Sequence, residues 1–176
     1  MKIKMDFYND LNAASIDSAN FLREKHVNYN KTKTNQKEKV YSKEHEFVAE
    51  VYRQLVNKDI KYRTYLCIDH LHPEDSQEKR DSAPDLVYEA LGYKAVVEIK
   101  TIVVKKVRED PGLFKHDLDR VEADYTKLQM NSDYVNFNQK ILIVAYLGEE
   151  STERDEIQNV ILAKFPEKNG VRVIVC

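Results

Sequence analysis

Apolar positions along the chain alternate between helix-like stripes and strand-length runs. Phe114, Leu118, Val121, Tyr125 and Leu128 recur at alternating spacings of four and three, the mark of an amphipathic helix over 114–130. Phe47, Val48, Val51 and Leu55 define one face of a second helix, which Ser42 can cap and which runs to about Lys58. Leu11, Ala14, Ala19, Phe21 and Leu22 follow helical spacing more loosely within 8–27, predicting one or two N-terminal turns. Ile157, Val160, Ile161 and Phe165 predict a helix over 154–165.

Between these stripes lie β-rich runs. "YRTYLCIDHL" at 62–71 reads as a strand, and segments 85–88 and 93–104 follow in hairpin order. "KILIVAYLG" at 140–148 is a continuous apolar run suited to the centre of a sheet, and 171–176 gives a last strand. "NYNKTKTNQKEK" and "HPEDSQEKRDSAP" have almost nothing to bury and predict loops. From Ser42 onward the order is α-β-β-β-α-β-α-β, an α/β (α+β) domain with a central mixed sheet flanked by helices. The expected organisation is a core domain over 42–176, preceded by a helical segment and basic polar loop over 1–41.

Composition narrows the classes. At 176 residues the chain can bury a full core without staples. Its two cysteines, Cys67 and Cys176, lie far apart, with no zinc-finger spacing, and read as a reducing, cytoplasmic setting. Cys67, Asp69, His70 and His72 stand close together but lack a second ligand cluster. No apolar run approaches the ~20 residues of a membrane span. Four scattered glycines exclude P-loop and dinucleotide-binding loops. Twenty-eight basic against thirty acidic side chains give a net charge of -2, so any polyanion site must be local.

The most informative stretch is "SAPDLVYEALGYKAVVEIKT". Ala95, Val96, Val97, Ile99 and Ile102 make both faces of the strand apolar, yet Glu98 and Lys100 share one face within it. A buried carboxylate demands a partner cation. If the hairpin turns symmetrically about Leu91 and Gly92, Asp85 lies directly across from Glu98. Like charges placed there repel. Two facing carboxylates beside a lysine suggest a shared divalent cation, with oxygen ligation favouring Mg²⁺ or Mn²⁺. At about 100° per residue, Glu44 falls on the same stripe as Val48, Val51 and Leu55, where it can reach the same ion.

Pro84-Asp85, twelve intervening residues and Glu98-Ile99-Lys100, preceded by the helix "KEHEFVAEVYRQL", resemble the PD-(D/E)XK nuclease superfamily over residues 42–147. The resemblance implies a restriction-endonuclease-like fold and metal-assisted hydrolysis of DNA phosphodiesters. It implies that Asp85 and Glu98 are principal metal ligands, with the Ile99 carbonyl, and that Glu44 holds the metal directly or through water. Lys100 would orient or deprotonate the attacking water or stabilise charge on the phosphate. Arg120 and Lys127, one heptad apart on the following helix, would touch phosphates. Cutting both strands of a duplex would call for a homodimer. The alternative is a catalytically inactive module of the same fold that binds nucleic acid or a protein partner.

Overall fold

A computed structural model of the chain describes residues 2–32, 44–68, 83–102, 111–148 and 151–176. In chain order the elements are α1 (Lys2–Thr32), α2 (Glu44–Lys58), α3 (Lys61–Tyr65), β1 (Leu66–Cys67), β2 (Leu86–Ala90), β3 (Tyr93–Ile102), α4 (Pro111–Met130), a 3-10 turn (Ser132–Tyr134), β4 (Gln139–Tyr146), α5 (Ser151–Lys164) and β5 (Val171–Val175). The five strands form one mixed sheet in the order β1-β2-β3-β4-β5. β1, β2 and β3 pair antiparallel, whereas β3, β4 and β5 pair parallel. The change of sense follows from the connections: a tight hairpin joins β2 to β3, and helices α4 and α5 carry the chain between the parallel strands.

Central β3 and β4 are covered on both faces. Ala95, Val97 and Ile99 join Ile141, Ile143 and Ala145 in a core with α1 and α2. Val96 and Ile102 join Leu142, Val144 and Tyr146 in a second core with α4 and α5. This is the burial that their apolar runs predicted. Each fully buried aliphatic or aromatic side chain contributes about 1.5–3 kcal/mol relative to exposure.

Two elements differ from the expectation. The N-terminal helix is one continuous element rather than one or two turns. Its buried stripe runs Phe7, Leu11, Ala14, Ser15, Ser18, Ala19, Leu22, with two serines completing it. Their hydroxyls donate back to the carbonyls of Leu11 at 2.8 Å and Ala14 at 2.6 Å, which lets them sit in the core. Phe21 lies off this stripe and is exposed. α1 shares its core with α2 and the sheet.

The first part of the expected strand over 62–71 is helical. Asp59 starts the turn: its carboxylate accepts the Lys61 N–H at 3.0 Å and its carbonyl the Tyr62 N–H at 3.0 Å. Tyr62 then turns inward, donates to Asp10 Oδ2 at 2.6 Å and packs with Phe7 and Tyr88. Tertiary packing overrides the β propensity of the Tyr-Arg-Thr-Tyr run, and only Leu66–Cys67 remain strand. Residues 28–32, the start of the first expected loop, continue α1 instead; the rest of that loop, the Ser42 cap, the second polar loop up to residue 82, Asp69, His70 and His72, and the last two residues of the expected 93–104 strand lie outside the described residues. Among the described residues no helix is long and apolar enough to cross a membrane.

Candidate active site

The hairpin sets the register of the site. Leu91 (φ 49°) and Gly92 (φ 79°) form a two-residue turn with positive φ at both positions, the geometry that matches strand twist. Pairs run from Ala90 opposite Tyr93 to Leu86 opposite Val97. One further step places Asp85 opposite Glu98, the pairing expected from the sequence. There the ladder stops. The Ile99 N–H, next on that edge of β3, donates to Asp85 Oδ2 at 2.6 Å in place of a strand carbonyl. Asp85 is only 2% exposed. The Ile99 side chain packs into the opposite core, so its contribution near the acids is backbone alone.

Glu98 projects toward α4 and is 3% exposed. Its Oε1 takes two contacts: Lys127 Nζ at 2.7 Å and the Tyr134 hydroxyl, which donates at 3.2 Å. Lys127 also donates to the Ala83 carbonyl at 3.0 Å. Burial first, and then the negative charge of Asp85, push the Glu98 carboxyl up to about 7, with Lys127 pulling the other way.

Lys100 lies two residues along on the same face. Its Nζ is 3.0 Å from Glu44 Oε1 and 3.0 Å from Asp124 Oδ2. The first is a hydrogen bond; the second is an ion pair without hydrogen-bond alignment. Burial alone would lower the Lys100 pKa, but Asp124 and Glu44 outweigh it and the net shift is upward. Lys100 is therefore held as an ammonium. Burial raises the Asp124 carboxyl, partly offset by Lys100. The second oxygen of Glu44 accepts from Arg120 Nη2 at 3.2 Å, and Arg120 Nη1 is 3.8 Å from Asp117.

No family model, curated protein or solved structure matches this chain.

Glu44, Asp85, Glu98 and Lys100 thus come together at one end of the hairpin, but not in the arrangement expected for a three-acid ligand set. Glu44 is the counter-ion of Lys100 and Arg120. Among the described residues no group of three or more His, Cys, Asp or Glu side chains is arranged to hold a metal ion. Arg120 and Lys127 turn toward the acids rather than standing as a solvated helix face. Two members of the site, Asp124 and Tyr134, were not found from the sequence. Asp124 stands four residues after Arg120 and three before Lys127, so it shares their helix face. Reading that helix for acids as well as cations would have found it. Tyr134 sits in a 3-10 turn capped by the Asn131 side chain, where no periodicity marks it.

Proposed function

We propose that this chain is a metal-dependent nuclease that hydrolyses phosphodiester bonds of DNA, with a restriction-endonuclease-like core of the PD-(D/E)XK kind. The observation that carries this reading is a buried carboxylate pair, Asp85 and Glu98, set beside an ammonium that two other acids hold charged. Burial first, and then repulsion from Asp85, lift the Glu98 pKa, and a shared divalent cation would favour the ionised carboxylate against both. The donors are all oxygen, which suits Mg²⁺ or Mn²⁺. Asp85 and Glu98 would hold the ion; Glu44, paired to Lys100, is a positioning residue in this reading.

When bound, such an ion lowers the pKa of a coordinated water and polarises a phosphoryl oxygen. The chain's own residues do the remainder. Lys100, fixed as a cation by Glu44 and Asp124, donates hydrogen bonds to the attacking water or to charge building on the phosphate; it does not act as a base. Lys127 and Tyr134 fix the Glu98 carboxylate through one oxygen. Arg120, the most exposed cation of the site, is the group placed to meet a neighbouring phosphate. Cutting both strands of a duplex would need a second copy of the chain.

A second reading, a nucleic-acid-binding or protein-interaction module without activity, is favoured by one observation. Glu44 and Glu98 are already neutralised by Lys100, Arg120 and Lys127. The two readings separate on plasmid and single-stranded DNA incubated with protein and Mg²⁺ or Mn²⁺, beside Asp85→Asn and Lys100→Met. Cleavage by the wild type that drops at least a hundredfold in both variants supports the nuclease. Cleavage equal in all three proteins, or no cleavage together with no Mn²⁺ binding by calorimetry, removes it.

A further inference from the structure

Three cations stand around the acids of the candidate site, and they are not held alike. Lys100 lies between Glu44 and Asp124, each 3.0 Å away. Arg120 meets Glu44 at 3.2 Å and Asp117 at 3.8 Å. Both are committed to acids other than Asp85 and Glu98. Among the described residues, Lys127 is the cation that meets this pair, through Glu98 Oε1 at 2.7 Å. Its ammonium has a second acceptor, the Ala83 carbonyl at 3.0 Å. Ala83 precedes Asp85 by two residues, and Asp85 lies one step beyond the last pair of the hairpin, opposite Glu98. Lys127 Nζ thus links the two arms of the hairpin where the acids face each other.

The two acceptors of that ammonium are a carboxylate oxygen and a backbone carbonyl, the hard oxygen donors that Mg²⁺ and Mn²⁺ also take. Glu98 Oε1 is shared with the Tyr134 hydroxyl, which donates at 3.2 Å. A carboxylate oxygen offers about two lone-pair directions, so these two donors occupy it. The hydroxyl is neutral and its residue is buried. The ammonium carries a charge that repels a second cation on the same oxygen, and burial leaves that repulsion poorly screened. Lys127 also keeps 19% of its side chain in water, against 4% for Glu98, and its four-carbon stem is flexible. Of the two donors on Oε1, Lys127 is the one able to leave.

We propose that Lys127 is the resident counter-ion of the metal-free site, and that its ammonium must leave Glu98 Oε1 before a divalent cation can be held there. Affinity for the ion is thereby set below what the two acids alone would give. After the exchange Tyr134 still holds the Glu98 carboxylate, so the acid keeps its place while its charge partner changes. Lys127 is in this sense a positioning residue that works on the metal-free protein. The inference rests on the reading of Asp85 and Glu98 as ion-holding acids, but not on the use of the ion to cut DNA.

The test uses the full chain at one pH, with Mn²⁺ affinity measured by calorimetry. Lys127→Met and Lys127→Gln should each bind Mn²⁺ about tenfold more tightly than wild type, or better. Adding Glu98→Gln to Lys127→Met should abolish the gain. Arg120→Gln removes a positive charge from the same cluster without freeing Glu98, and should gain less than about threefold. Wild type gives an independent reading if the Lys127 variants fail to fold. Its Lys127 ammonium, held on two acceptors, should give a ¹⁵Nζ signal by NMR that diamagnetic Mg²⁺ shifts or removes. A smaller gain in the Lys127 variants, an equal gain in Arg120→Gln, a Lys127 signal unchanged at saturating Mg²⁺, or no binding by any folded form overturns the proposal. A wild type that binds Mn²⁺ and cuts DNA, beside Lys127 variants that bind no more tightly, keeps the nuclease reading and loses this one. Tighter binding in the variants with no cleavage by any of the proteins does the reverse.

Discussion

Asp85 and Ile99 are joined by a 2.6 Å hydrogen bond in which a strand amide donates to a carboxylate. The acid proposed to hold a metal thus also closes the hairpin ladder. The two roles separate by substitution. Asp85→Asn keeps an acceptor oxygen for the Ile99 N–H and should alter stability by less than about 1 kcal/mol while abolishing metal-dependent cleavage. Asp85→Ala leaves a buried N–H unmet and should cost about 1–3 kcal/mol. Urea denaturation of the two variants checks this, and equal losses would show the bond to be idle.

Glu98 makes the metal-free protein sensitive to pH. Its folded pKa, about 7, lies above the ordinary carboxyl value of 4.5. Below about 4.5 the group is protonated in both states and costs nothing. As pH rises toward 7 the unfolded chain ionises first, so stability falls, by on the order of 3 kcal/mol in total, and levels off above. In chelator, melting of the wild type should decline between pH 5 and 7 relative to Glu98→Gln. Parallel curves for the two proteins would contradict the shift.

Leu91 occupies the first position of a two-residue turn with φ 49° and is 84% exposed. A leucine gains nothing there and bears the strain of left-handed backbone. Leu91→Asn creates the Asn-Gly turn favoured at this geometry and should stabilise by about 0.5–1 kcal/mol, read from the denaturation midpoint. A Cβ on Gly92 meets nothing within 4 Å, so any loss in Gly92→Ala comes from its φ of 79° alone.

α1 belongs to the core. Leu11→Ala, at a site with no exposure, should cost about 2–5 kcal/mol, whereas Phe21→Ala, 45% exposed, should stay within about 1 kcal/mol. Chemical denaturation distinguishes this from an appended helix, for which both changes would be small.

The sheet was legible because its apolar runs are long: β3 and β4 carry apolar residues on both faces and could only be central strands. The Asp85 to Glu98 pairing was legible too, since a turn at Leu91 and Gly92 leaves one symmetric register. What failed to show depended on side chains acting outside their usual habit. Buried serines interrupted the apolar stripe of α1, and a backbone-capping aspartate turned a β-rich run into helix at Lys61–Tyr65. Glu44 stood on the predicted face, but its partner was set by distance in space: Lys100 and Arg120 come from elements 56 and 76 residues away. No spacing rule reaches that far.

The tight turn at Leu91–Gly92 also makes this protein intolerant of a kind of change that alignments of acidic residues would overlook. A change of length between β2 and β3 that slipped the pairing by one would swing every β2 side chain to the other side of the sheet. The chemistry of the cluster is thus encoded partly in a loop length, and an indel at an exposed tip could silence the site while leaving every charged group in the gene intact.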